Sequence, residues 1–350
     1  MNEFTKVNKL GYQPSLDGIR AIAVMLVMLL HAHFQFGSNG QIGVSLFFSM
    51  SGFLITTLLH EEFKQTGFIS FSGFYIRRTM RLFPALYVLL IFCSIYNGFF
   101  IFDKEMQAST WKEIYASAFY LNNVSWSWGW GTGSILLGHT WSLAVEEQFY
   151  LIWPLLLFVF MKWNRLNLLA ILLFLFIGIS WSMRLLGYAG PIYTSLVQES
   201  IFMGCLFAIV RINQQIPSIP DWFLLVTTLL IVLVGIIPYE SPINLFNPVG
   251  LLGGMLFVGL SQKPDGITSR ILSIRPLVFI GKISYGMYLW HLPIFRWFAN
   301  QDFIHGYQAF IGKFLTTFLL TYLSWVLIEK RSTKWGRRWS DQLKSKNKFD

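Results

Sequence analysis

The chain has 350 residues, 54% hydrophobic and 13% charged, with a net charge of +10 and two cysteines. This balance excludes a string of soluble domains and a disulfide scaffold, and it points to one polytopic membrane domain. Nucleic-acid binding is excluded too, because the basic residues lie in short gaps between apolar runs and in the tail, with no soluble module to carry them.

Runs of about 17–25 apolar residues can cross a bilayer. Ten are expected, near 18–36, 41–60, 82–102, 142–161, 166–186, 195–211, 222–238, 244–261, 276–297 and 309–329. The fold class is therefore an all-α integral membrane protein, a single bundle of about ten helices. It divides into a cytoplasmic segment 1–15, a membrane domain 16–330 and a basic tail 331–350. The first run follows a mildly basic segment and holds Arg20 and His31, so it reads as a retained helix and not a cleaved signal peptide. With the N-terminus inside, the cytoplasmic gaps collect Lys64, Arg77, Arg78, Arg81, Lys162, Arg165, Lys263, Arg270 and Arg275. The opposite loops keep little beyond Lys104 and Lys112. That bias predicts both termini in the cytoplasm of a multi-pass plasma (inner) membrane protein.

The first run, LDGIRAIAVMLVMLLHAHF, carries Asp17, Arg20, His31 and His33. Arg20 and His31 share one helix face about 16 Å apart, with Asp17 within about 60° of Arg20, while His33 points away. Ionisable groups on one face of a span mark a functional site by default. In the second run, GVSLFFSMSGFLIT, the small residues Ser45, Ser49, Ser51 and Gly52 first suggest close helix packing. The gap FYIRRTMRLFP places Arg78 and Arg81 on one face, suited to phosphate, although positive-inside anchoring explains them equally.

The long outer loop, about 102–140, holds WKEIYASAFYLNNVSWSWGWGTGS. It reads first as an interfacial aromatic belt, with stacking on sugar rings as the alternative. Next, HTWSLAVEEQFYLIWP puts Glu146 and Glu147 at the head of an apolar span, diverging by about 100°. A carboxylate there calls for a partner or a proton. Finally, GKISYGMYLWHLPIF carries Tyr285, Tyr288 and His291; a single interfacial histidine beside Trp290 is more often structural. Cys93 and Cys205 fall inside expected spans as small buried groups, and no metal-ligand spacing is visible.

Taken in order, LDGIRAIAVMLVMLLH, GVSLFFSMSGFLIT, FYIRRTMRLFP, HTWSLAVEEQFYLIWP and ISYGMYLWHLPIF resemble the membrane acyltransferase-3 family, the O-antigen and exopolysaccharide O-acetyltransferase type. The likeness runs from about Leu16 to Lys330. The family's Arg-x10-His motif falls on Arg20 and His31, its Arg-x-x-Arg motif on Arg78 and Arg81, and its WSLxVEEQF glutamates on Glu146 and Glu147. Two positions depart from it. Ser45 stands where an acidic residue is common, and Arg331 replaces the proline of the terminal Glu-Lys-Pro; the second is expected to be harmless because the tail lies outside the core.

The resemblance implies acyl transfer, most often acetyl, from cytoplasmic acetyl-CoA or another acyl-CoA to a hydroxyl of a cell-envelope or exported polysaccharide, with no metal. Arg20, Arg78 and Arg81 would receive the anionic donor. His31 would act as general base or transient acyl carrier. Glu147, or Glu146, would orient an imidazole or contact the sugar, with Asp17, Ser45, Tyr288 and His291 in support. The partners are then the acyl-CoA, a glycan or lipid-linked saccharide, and the bilayer. Other readings are an acyltransferase for a small molecule such as a macrolide, a glycan transporter or flippase, and a structural envelope subunit. Acyl-CoA dependence separates the transporter, and acceptor screening separates the macrolide enzyme.

Overall fold

The computed structural model describes residues 9–32, 39–129, 136–188, 198–213, 217–237, 246–299 and 306–346. Among them every regular element is a helix: α1 (Pro14–His31), α2 (Ile42–Thr66), α3 (Phe71–Phe100), α4 (Lys104–Ala118), α5 (Asn122–Ser127), α6 (Thr140–Lys162), α7 (Leu166–Leu185), α8 (Glu199–Ile212), α9 (Asp221–Ile236), α10 (Phe246–Gln262), α11 (Ile267–Leu272), α12 (Arg275–Ala299), α13 (Gly306–Ser324), a π-helical turn (Trp325–Glu329) and α14 (Lys330–Lys346). Each of the ten expected apolar runs overlaps a helix. Six helical stretches are long and apolar enough to cross a membrane: α1, α2, α3, α6, α7 and the continuous stretch Gly306–Leu343. The chain is thus a multi-pass helical membrane protein. His33 and residues 130–135 of the aromatic loop lie outside the described residues.

The helices form two compact units. One comprises Met1–Ile69, Leu151–Gly190 and Val197–Lys282; the other comprises Ser70–Tyr150, Pro191–Leu196 and Ile283–Asp350. In the first unit α2 is central, with 78% of its apolar window buried, whereas α7 has only 22% buried. The exposed Ile171, Leu172, Phe174, Leu175 and Ile179 of α7 form the apolar surface that a span offers to lipid. Small residues let α2 lie close to α8. Ser45 Oγ and Ser200 Oγ are 2.7 Å apart, and Ser49 Oγ donates to the Gly250 carbonyl at 2.9 Å. A β-carbon on Gly52 would collide with the Ile201 carbonyl oxygen, and one on Gly204 with that of Ser49. Ser45 therefore serves the packing expected of it, its hydroxyl directed at Ser200.

In the second unit α3 begins at Phe71, well before the expected 82, and the outer loop is itself helical. Asp103 caps α4 by accepting from the Met106 amide at 2.7 Å. The buried Glu113 accepts from the Leu137 amide at 3.2 Å. Asn122 donates to the Leu137 carbonyl, and Asn123 to Gln148 Oε1 at 2.9 Å. Both asparagines are almost wholly buried, so they fix the loop and present no surface to a sugar. Trp126 and Trp141 stack with an interplanar angle of 12°.

The segment after Lys330 corrects an expectation. It is not a tail outside the core but helix α14, packed along α3. A β-carbon on Gly336 would sit 2.6 Å from Met80 Cβ, and one on Gly73 would sit 2.7 Å from Ser340 Oγ. Arg77 Nη1 donates to Ser340 Oγ.

Candidate functional site

The first unit builds its polar cluster at the start of α1. The sequence LDGIR places Asp17 in the first turn, where a carboxylate is favoured by the helix N-terminus. Gly18 and Gly281 allow this turn to sit tightly. A β-carbon on Gly18 would strike the Leu272 carbonyl oxygen, and one on Gly281 the Asp17 carbonyl oxygen. Asp17 is 4% exposed and uses both its oxygens. Arg20 Nη1 donates to Oδ1 at 2.7 Å, and the Tyr12 hydroxyl donates to Oδ2 at 2.8 Å. Partial burial, followed by that hydrogen bond, pushes the Tyr12 phenol up to about 12. Lys282 Nζ lies 5.5 Å from the Tyr12 ring centroid. Asp17 thus holds Arg20 in place while the arginine side chain keeps 22% exposure, and Lys282 brings a second cation to the Tyr12 ring.

His31 closes the same helix. Its Nδ1 lies 3.0 Å from the Val27 carbonyl oxygen. A carbonyl only accepts, so Nδ1 carries the proton and Nε2 is the basic nitrogen of the neutral ring. Sequence spacing places Arg20 and His31 on one face; the hydrogen bond adds which nitrogen can take a proton.

Apart from Ser45 on α2, the second unit holds the other expected residues. Arg78 on α3 meets two residues one turn apart on α6. Its Nε is 3.6 Å from Glu147 Oε1, and its guanidinium carbon is 3.6 Å from the Tyr150 ring centroid. Arg78 and Glu147 are each 16% exposed, and Tyr150 is 2% exposed. The arginine is thus sandwiched between a countercharge and an aromatic face. Arg81 is exposed and acts electrostatically on Glu329. The two arginines expected to act as one face therefore have different surroundings. Glu146 and Glu147 both act on Arg78, but they diverge beyond it: Glu147 also acts on Tyr120 and Tyr285, whereas Glu146 acts on Tyr288.

Tyr288 and His291 belong to a further buried group. The Tyr288 hydroxyl donates to the His139 carbonyl at 2.9 Å and is 2.6 Å from Ser142 Oγ. His291 is 0% exposed, with Nδ1 2.6 Å from the Tyr288 carbonyl. His139 Nε2 is 3.1 Å from the Leu289 carbonyl, and the two imidazole centroids are 5.0 Å apart. Both rings take tautomers fixed by carbonyls, as for His31.

Sequence reasoning missed three residues here. Tyr150 follows Glu147 by one turn, a spacing that would have found it. Tyr120 has φ 52° and is 8% exposed, its carbonyl held by Gln148 Nε2 at 2.9 Å. Burial, with Glu147 next, raises its phenol well above the ordinary range. A left-handed tyrosine leaves no mark in hydropathy. Glu329 is 7% exposed in the π-turn, accepts from Ser324 Oγ at 3.3 Å, and lies 2.9 Å from where a Gly286 β-carbon would be. Its place at the end of the last apolar run suggested a boundary, not a buried carboxylate. Among the described residues, no three His, Cys, Asp or Glu side chains are grouped so as to hold a metal ion.

A family model described as an acyltransferase domain matches residues 13–330. The chain is 35% identical over 310 residues to the peptidoglycan O-acetyltransferase OatA of Listeria monocytogenes, covering 81% of this chain and 49% of that protein. It is 30% identical over 374 residues to the O-acetyltransferase OatA of Staphylococcus aureus, covering 95% of this chain and 60% of that protein. The chain therefore spans about half to three fifths of the length of these curated relatives. No solved structure matches it. With the family model covering all but the ends of the chain, and with the ordered motifs on α1, α2, α3, α6 and α12, the chain belongs to the membrane acyltransferase-3 family.

Proposed function

We propose that this chain transfers an acetyl group from cytoplasmic acetyl-CoA to a hydroxyl of a cell-envelope polysaccharide in the plasma membrane. The name of the Listeria relative, a peptidoglycan O-acetyltransferase, supports the acceptor class, and the name of the Staphylococcus relative supports the acetyl group. The observation that carries the reading is α1 itself. One end presents Arg20, fixed by Asp17, and the other presents His31 with Nε2 as its basic nitrogen. Arg20 and Lys282 suit the phosphates of the donor. The second unit, taken by itself, carries cations suited to the same anionic chemistry: Arg81 is exposed, and Arg78 is held by Glu147 and Tyr150.

The step follows from the tautomer. His31 Nε2 takes the proton of the acceptor hydroxyl as its oxygen attacks the thioester carbonyl. The tetrahedral intermediate collapses with cleavage of the carbon–sulfur bond. The CoA sulfur leaves and recovers the proton from Nε2. The Nδ1–Val27 hydrogen bond keeps the ring oriented throughout.

The test uses membranes containing the protein, isotope-labelled acetyl-CoA and envelope glycans, with mass spectrometry of the glycan. Wild type labels the glycan, and His31→Ala lowers the rate by about 10²–10⁴-fold, the usual contribution of a general base. Full labelling by His31→Ala overturns this mechanism. Label in neither protein removes acetyl-CoA as donor and directs the search to other acyl donors, then to transport.

A further inference from the structure

We propose that α14 is a membrane-surface helix whose outer face binds the anionic headgroups of the cytoplasmic leaflet. Its two faces differ sharply. Toward α3 it turns Gly336, against the Met80 side chain, and Ser340, against Gly73 and Arg77, both buried. On the rest of its surface it carries Arg331, Lys334, Trp335, Arg338 and Trp339, all exposed. Trp335 is 66% and Trp339 46% exposed. On a helical wheel Arg331 and Arg338 lie within about 60° of Trp335, at i−4 and i+3, so aromatic rings and guanidiniums share one patch.

The charge of the helix selects the occupant. Lys330, Arg331, Lys334, Arg337, Arg338, Lys344 and Lys346 stand against Asp341 alone. Two exposed indoles next to arginines are unfavourable in water. They match a headgroup layer, where the ring body meets the acyl boundary and the cations meet phosphate. Chain continuity supplies the location. α14 follows the apolar α13 through the π-turn without a break, so it emerges directly from a span. Run straight out along the membrane normal, Trp339 would sit about 15 Å beyond Glu329. That exceeds the roughly 5–7 Å of headgroup layer on each side. The indoles meet the interface only if the helix leans along it. An acidic protein would match the charge, but its binding would not depend on the lipid headgroup, so the lipid comparison below separates the two.

The test needs no acyl transfer, so its failure is separate from any failure of the enzymatic reading. Gln342 is exposed on the same face, and the native Cys93 and Cys205 are fully buried. The full-length Gln342→Cys protein, labelled with an environment-sensitive fluorophore, is placed in nanodiscs of phosphatidylcholine with and without phosphatidylglycerol. Phosphatidylglycerol should shift emission to the blue and protect the label from acrylamide, and high salt should reverse both. Arg331→Glu with Arg338→Glu should cut the preference for the anionic surface by at least about thirtyfold, since each cation near such a surface contributes roughly a factor of five. Trp335→Ala with Trp339→Ala should weaken protection in both lipids. Equal emission and quenching of the unreversed protein in the two lipids overturns the proposal. So does a phosphatidylglycerol response that survives the charge reversal.

Discussion

Arg78 illustrates how much a single charge in a span depends on its partners. Its Nε and Glu147 Oε1 face each other at 3.6 Å, beyond hydrogen-bond reach, and the ring of Tyr150 covers the guanidinium from another side. Removing one member of such a pair leaves the other charge buried and uncompensated. Glu147→Gln should therefore lower unfolding stability by about 3 kcal/mol, while Arg78→Met with Glu147→Leu should recover most of it. Thermal unfolding in detergent reads both. A double variant that lost the sum of what Arg78→Met and Glu147→Leu each lose alone would show that the pair is not coupled. If the site reading holds, the double variant is stable yet fails to transfer acetyl, which separates function from folding. The residue types and spacing of this pair are legible in FYIRRTMRLFP and VEEQF. Which glutamate meets which arginine is not, because it depends on the packing of α3 against α6. His31 follows the same pattern: its position can be read from Arg20, but its tautomer depends on a rotamer that reaches the carbonyl four residues back.

Close approach governs how α2 packs on α8, and here the sequence is informative. Ser45, Ser49 and Gly52 recur at helical spacing, and the structure uses them as a seam against Ser200, Ile201 and Gly204. The obstacles to a larger residue are backbone carbonyls, which cannot rotate aside. Gly52→Ala should destabilise by about 1–3 kcal/mol, the usual cost of overpacking. Gly178 on α7 has open space around it and an ordinary helical backbone. Gly178→Ala should therefore be neutral or stabilising by up to about 1 kcal/mol. Unfolding of the two variants side by side checks the contrast, and equal effects would refute the seam. α14 was not legible for the converse reason. Its buried face is made of glycine and serine, which carry no hydrophobic signal, so a reading based on apolar periodicity sees only its cations.

The direction of each helix links these local contacts to the whole chain. Alternate crossing of ten spans requires α2, α8 and α10 to run the same way and α1 and α9 to run against them. Within the first unit the contacts obey this. Gly40 meets Leu26 and Gly43 meets Ala23, an antiparallel register of α1 and α2. Ser45 meets Ser200 and Ser49 meets Gly204, so α2 and α8 are parallel. Gly250 meets Ser200 and Gly254 meets Phe207, so α8 and α10 are parallel as well. Length gives a different count, because α8, α9 and α10 have 14, 16 and 17 residues and fall short of the six long apolar stretches. The two counts place residue 265 on opposite sides. With six crossings and the N-terminus inside, everything between α7 and α13 stays outside; with ten, the turn after α10 returns to the cytoplasm. Glu105 is outside in both schemes, and Glu105 and Asp265 are both exposed. An impermeant maleimide on intact cells should label Glu105→Cys, and should label Asp265→Cys only after the membrane is opened. The basic residues Lys263, Arg270 and Arg275 around that turn give the physical reason to expect it inside. Labelling of Asp265→Cys on intact cells would leave α8, α9 and α10 as a buried core that does not cross, and would remove the crossing order on which the cytoplasmic donor rests.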